Sequence, residues 1–219
     1  MKYIDLFEEF KIKPRAVDVP VYSTGQRPVN IDNQKVIRKQ DVIVAKDDTI
    51  KQIVIDEIKR LGKNADLNHI NVSQVTDMNG LFYNTDFQGD VSQWDVSSVT
   101  DMYAIFSYCS KFNCDISNWD VRNVANMSYM FYECKKFNCD ISKWDVRNVE
   151  DMSYMFALCK KFDQDLSAWD VSKVKNMKNM FIYCTNFNSD ISGWNVSSDT
   201  NIDGMFYNCL IKNVYKPKK

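Results

Sequence analysis

Trp119-Asp-Val-Arg-Asn-Val-Ala-Asn-Met-Ser-Tyr-Met-Phe-Tyr-Glu-Cys-Lys-Lys-Phe-Asn-Cys-Asp-Ile-Ser-Lys143 runs straight into Trp144, where nearly the same order of residues begins again. All five tryptophans of the chain share this register: Trp94, Trp119, Trp144, Trp169 and Trp194, each 25 residues after the last. Even spacing of every copy of a rare residue establishes an internal repeat. A repeat of this length points to a solenoid, whose units bury their apolar faces only against their neighbours. The functional question thereby moves from one pocket to a long surface.

Other columns follow the tryptophans. Copies of the Val-x-x-Met segment begin at Val99, Val124, Val149 and Val174, with an incomplete one near Asp199. An earlier copy, Val75 to Thr85, has Ile70 in the tryptophan position and Thr85 in the cysteine position. Met102, Ile105, Phe106 and Cys109 fall at i, i+3, i+4 and i+7, which predicts one face of a short helix, with Thr100 and Asp101 able to cap it. Trp119 and Val121 alternate with polar neighbours and predict a half-buried strand. The expected fold is therefore an α/β repeat solenoid, leucine-rich-repeat-like, with a short helix and a short parallel strand per 25-residue unit. Helices are about twice as wide as the spacing between strands, so the array should curve around its sheet.

The order Val-x-x-Met-x-x-Met-Phe-x-x-Cys-x-x-Phe, then Ile-x-x-Trp-x-Val, resembles the BspA-like leucine-rich repeats. It is most similar to their 25-residue branch, known from mycoplasma-type lipoproteins, bacterial surface proteins and phage-encoded proteins. The likeness spans about Asp66 to Cys209. It implies a right-handed leucine-rich-repeat-like solenoid used for binding or adhesion, often at a cell surface.

Four regions are expected. Residues 1–45, broken by Pro14, Pro20, Gly25 and Pro28 after a short amphipathic stretch from Tyr3 to Phe10, form an arm or extension. Residues 46–65 hold a capping helix, with Ile50, Ile53, Val54, Ile58 and Leu61 on one stripe, Asp48 at its start and Gly62 at its end. Residues 66–211 form the solenoid, and 212–219 a basic tail that blunts the last edge.

Composition narrows the chemistry. A net charge of -1 argues against a general grip on nucleic acid. No apolar run reaches the length of a membrane span, and the N-terminus lacks the apolar stretch of a secretion signal, so a cytoplasmic or virion-associated location is expected unless a leader was removed. Cys109, Cys134, Cys159, Cys184 and Cys209 form one column, and Cys114 and Cys139 belong to a second that also holds Gly89, Gln164 and Ser189. Such interchange describes small buried groups rather than disulfides or zinc ligands. No metal, cofactor or enzymatic activity is expected: His69 is the single histidine, is placed on the exposed side of the first strand, and no nucleophile or phosphate-loop motif stands out.

The candidate binding surface is the exposed side of the predicted sheet. Asp95, Asp120, Asp145 and Asp170 form its central column, flanked by Asn118, Lys143, Arg122 and Arg147. Their stacked carboxylates repel unless paired, which the arginines can supply; calcium is the weaker reading, since glycine-rich calcium loops are missing. A second column, Asp90, Asp115, Asp140, Asp165 and Asp190, is expected to accept hydrogen bonds from turn amides. The first expectation for function is a non-enzymatic module that binds a protein on this face. The alternative is a structural decoration protein of a virion or cell surface, held in an assembly or oligomer through residues 1–45.

Overall fold

The computed structural model describes residues 42–218. All described residues belong to one compact unit. The amphipathic stretch from Tyr3 to Phe10 and most of the expected arm lie outside the described residues. Residues 42–45, also assigned to the arm, are part of the folded unit: β1 (Ile43–Val44) pairs in parallel with β2 (Ile70–Asn71), Ile43 opposite Ile70.

Between these strands runs α1 (Ile50–Leu61). Ile50 and Val54 are buried, and Ile53 and Ile58 pack against the core, whereas Leu61 is exposed. The helix starts at Thr49 rather than through Asp48: the Thr49 hydroxyl accepts from the Lys46 amide at 2.9 Å and makes no bond forward into the helix. Gly62, at φ 88°, ends it as expected, its amide donating to the Ile58 carbonyl.

From Asp66 onward, successive units are joined by main-chain hydrogen bonds. Parallel bridges link Asp77 to Asp101, Asp101 to Asn126, Asn126 to Asp151, Asp151 to Asn176 and Asn176 to Asn201. The bridge position lies immediately before Met78, Met102, Met127, Met152 and Met177, and before Ile202 in the last unit, where the sequence predicts the start of a helix.

No helix forms there. The amides of Met127, Tyr129, Phe131 and Glu133 donate to Asp151, Ser153, Met155 and Ala157 of the next unit. The alternate amides of Met130, Tyr132 and Cys134 close turns onto Met127, Tyr129 and Phe131. Carbonyls outside those turns serve the preceding unit: Asn126, Ser128, Met130 and Tyr132 accept from Met102, Ala104, Phe106 and Tyr108. From Met127 to Cys134 every backbone amide and carbonyl finds a partner, the Ser128 amide through Asn126 Oδ1, as a buried segment requires, but no i to i−4 helical ladder exists. The turns need left-handed backbone at Tyr129 (φ 58°) and Glu133 (φ 61°), and the same two positions recur with positive φ in the other units. Turns repeating every four residues place Met127, Met130, Phe131 and Cys134 on one side, as a helix would. Apolar spacing alone cannot separate the two arrangements.

The predicted strand is likewise replaced. Trp119 to Val121 lies between turns at Ser117–Asn118 and Arg122–Asn123, with no strand assigned. Alternation survives: Trp119 and Val121 are buried while Asp120 points outward. Without a helix in the repeating unit, the width argument for curvature around a sheet no longer holds.

The core is a set of aromatic columns. Phe106, Phe131, Phe156 and Phe181 stack at 5.5–5.8 Å between ring centres. Phe112, Phe137, Phe162 and Phe187 form a second column at 5.8–6.1 Å, and Phe131 lies 3.8 Å from Phe137. Trp94 and Trp119 lie parallel at 6.4 Å, as do Trp169 and Trp194. Each indole N–H donates to a carbonyl of the preceding unit, Trp144 to Ile116 at 3.1 Å for example. Buried aromatic rings supply large apolar area, and the polar handle of tryptophan must be satisfied; both conditions are met in every unit.

The cysteine column does more than fill space. Cys134 and Cys159 are buried, and their Sγ atoms donate to the Phe106 and Phe131 carbonyls at 2.9 Å. Thr85, in the same column, donates its hydroxyl to the Phe82 carbonyl at 2.9 Å. The position selects a small hydrogen-bond donor. All seven cysteines are free thiols. Burial pushes the Cys109 thiol up to about 11, and those of Cys134, Cys159 and Cys184 well above the usual range.

Candidate functional site

The predicted binding residues sit on turns and on the short links between them rather than on a sheet. Asp95, Asn118, Arg122, Lys143, Arg147 and Asp170 are exposed, and Asp120 and Asp145 half-buried. Each aspartate of the column holds the turn that follows it. Asp95 Oδ1 accepts from the Ser97 amide at 3.1 Å and its hydroxyl at 2.6 Å, and Asp170 Oδ1 accepts from the Ser172 amide at 3.0 Å. Asp120 and Asp145 accept from the amides of Arg122 and Arg147. The same arginines close back with Nε at 2.8 Å from Oδ1.

The electrostatics follow from these contacts. The Arg147 hydrogen bond holds the Asp145 carboxyl below its usual value. The Ser97 hydroxyl and amide do the same for Asp95, and those of Ser172 for Asp170. Arg122 and Arg147 are raised by their aspartates. The carboxylates are thus committed to local turns, and the arginines relieve repulsion along the column. What remains outward is a row of side chains that differs from unit to unit. The pairs are exposed ones, each of small energetic weight.

Asn118 and Lys143 also line a shallow groove of about 350 Å³ with Asp115, Ser117, Cys139 and Asp140. Two units on, Asp165, Ser167, Ser189, Asp190, Ser192 and Gly193 line its counterpart. The aspartates of this second column behave as the sequence suggests: Asp115, Asp140, Asp165 and Asp190 each accept from the amide two residues on, at 2.9–3.0 Å.

His69 departs from expectation. Its side chain is nearly buried, with Nε2 at 2.9 Å from Glu57 Oε2 on α1, and its Nδ1 has no hydrogen-bond partner among the described residues. Glu57, a polar residue on the buried face of α1, also accepts from Arg60 Nε at 2.9 Å, and the Arg60 bond holds its carboxyl low. Helical spacing places Glu57 near the buried stripe, but only the packing of α1 against the first unit brings His69 to it.

Two further features escape sequence reading. From Asp101 to Asn176 the bridge column alternates acid and amide: Asn126 Nδ2 lies 3.4 Å from Asp101 Oδ2, and Asn176 Nδ2 lies 3.1 Å from Asp151 Oδ2. Tyrosines that the helix reading scatters around a cylinder come together as one cluster. Tyr108 meets Tyr132 at 5.2 Å, Tyr132 meets Tyr129 at 5.6 Å, and Tyr129 stacks on Tyr154 at 4.6 Å.

These observations define a repeat protein whose outward chemistry is spread along its units. The chain belongs to the family described as "Mycoplasma protein of unknown function, DUF285", whose model matches residues 52–157 and again 116–215. Two overlapping matches are what internal repetition produces. No curated protein and no solved structure matches the chain. Among the described residues no helix is long and apolar enough to cross a membrane.

Proposed function

We propose that the chain is a non-enzymatic protein-interaction module, built as a leucine-rich-repeat-like solenoid of the BspA-like kind and binding a protein partner along the Asp–Arg face. The supporting observation is the contrast between frame and decoration. Main-chain bonds, aromatic columns and aspartate-held turns recur in every unit, while Asn118, Lys143, Ala168 and Gly193 occupy one equivalent exposed position. Arg122, Arg147, Ser172 and Ser197 occupy another. Repeat proteins use such a constant frame to present a variable extended surface. The dispersed carboxylates, each engaged in its own turn, suit scaffolding better than catalysis.

The test separates surface from scaffold. Arg122→Glu/Lys143→Glu/Arg147→Glu changes three exposed cations and leaves every turn-holding aspartate in place. Quantitative capture from the native source should recover a partner with the wild-type chain and lose it with this variant, at unchanged circular dichroism. Equal recovery of the same partner by both proteins would refute the assignment of this face.

A further inference from the structure

A different edge of the units carries chemistry that the Asp–Arg face does not use. Tyr108, Tyr129, Tyr132 and Tyr154 form the continuous cluster described above, which Tyr83 extends through Tyr108 at 5.6 Å and Tyr103 through Tyr129 at 5.7 Å. Tyr108, Tyr129 and Tyr154 have φ of 63°, 58° and 57°, a conformation that bulky L-residues rarely adopt. Other units fill the same two positions with Gly80, Gly204, Asn84, Asn179 and Asn208, which take it readily. Large rings therefore stand where the backbone alone favours glycine or asparagine.

Lysines follow these rings closely in the chain. Lys111 follows Tyr108 by three residues, Lys135 and Lys136 follow Tyr132, and Lys160 and Lys161 hold the equivalent place in the next unit; all five are exposed. Across segments 103–111, 128–136 and 153–161 the single acid is Glu133, which lies 3.0 Å from Lys135. In a chain of net charge -1 this edge is locally basic.

We propose that this tyrosine–lysine edge binds an acidic, extended segment of a partner protein laid along the stack of units. Charge complementarity selects an anionic occupant, and lysine ammonium groups are donors suited to carboxylates. Tyrosine supplies large contact area with few torsions to immobilise, and it is enriched at protein interfaces. Lys111, Lys136 and Lys161 recur every 25 residues, so an extended chain laid across successive units meets one ammonium group per unit. A nucleic acid would need open ring faces on which bases stack. Here Tyr129 and Tyr154 cover one another at an interplanar angle of 11°, and Tyr108 meets Tyr132 edge-on. This edge is distinct from the Asp–Arg face, so either can fail without the other.

The test uses the full chain and a fluorescein-labelled peptide of about twelve residues with alternating glutamates, followed by anisotropy at about 50 mM salt. Saturable binding is expected. Lys135→Glu/Lys136→Glu/Lys160→Glu/Lys161→Glu should weaken it by about tenfold or more. Tyr129→Asn/Tyr154→Asn, which keeps every lysine and uses the residue found at Asn179, should weaken it about threefold or more with circular dichroism unchanged. Arg122→Glu/Arg147→Glu should leave it unaltered. Absence of saturable binding, full affinity in the folded tyrosine variant, or tighter binding of a single-stranded oligonucleotide of equal charge would each overturn the proposal.

Discussion

Asn126→Asp is the sharpest probe of how the units are held together. Asn126 sits in the bridge column between Asp101 and Asp151, and its Oδ1 accepts from the Ser128 amide at 3.0 Å. Its Nδ2, 3.4 Å from Asp101 Oδ2, is the atom that an aspartate would replace with oxygen. Two carboxylates about 4 Å apart repel by roughly 4 kcal/mol at an effective dielectric of about 20. The column is half-buried, so solvent and side-chain rotation should reduce this to about half. Loss of the amide donor adds about 1 kcal/mol, and Asp151 lies on the other side. The expected cost is about 2–4 kcal/mol at pH 7, read as a lower urea midpoint. Like-charged neighbours raise the folded-state pKa of the new carboxyl above its unfolded value. The deficit is therefore complete above that raised pKa and shrinks as the pH falls through it toward about 4. Asn201→Asp is the control, being exposed and bridged to the neutral Asn176; it should cost under about 0.5 kcal/mol. A cost for Asn126→Asp within about 0.5 kcal/mol of zero at pH 7, or one that does not shrink by pH 4.5, would refute the reasoning.

Phe131→Ala removes a fully buried ring stacked on Phe106, Phe137 and Phe156 and should cost about 3–5 kcal/mol in urea unfolding, while half-buried Phe206, stacked on Phe181, should cost less than half as much. In thiol labelling at pH 8, Cys134, Cys159 and Cys184 should react only on unfolding, whereas half-buried Cys114 and Cys139 should react first in the native protein. Asp47 accepts from the Thr76 and Asp77 amides at 2.6 and 3.1 Å and from the Thr76 hydroxyl at 2.7 Å, the last lowering its pKa most. Asp47→Ala should cost about 1 kcal/mol at pH 7, discounted for exposure. A lowered folded pKa confers stability above the unfolded value and loses it as the pH falls, so variant and wild type should converge in stability as the pH falls through that lowered value.

Much of the candidate site could be read before any coordinates, because it depends on which side of the chain a residue faces. Trp119 and Val121 inward with Asp120 outward is a two-residue alternation, and it holds whether the segment is a strand or a link between turns. The exposed positions at Asn118, Arg122, Lys143 and Arg147 follow from it. The helix does not, because apolar groups at Met127, Met130, Phe131 and Cys134 satisfy both 3.6-residue and four-residue periods. A signal was present: Gly80, Gly204, Asn84, Asn179 and Asn208 fall in the two columns that adopt positive φ. Those residue types mark left-handed backbone, but Tyr129, Glu133 and Leu158 in the same columns hid it.

Period, register, the inward columns and the turn-holding aspartates are properties of short stretches repeated along the chain, and local stretches are what a sequence displays. The destination of each backbone amide is not local. Met127 can bond to a residue four back or to Asp151 in the next unit, and the choice depends on the total number of groups satisfied once neighbouring units are in place. That choice turned a row of expected helices into linked turns. It also placed Asn126 between two carboxylates and gathered Tyr108, Tyr129, Tyr132 and Tyr154 into one cluster, while the packing of α1 enclosed His69 against Glu57; only the tertiary structure brings these residues within reach.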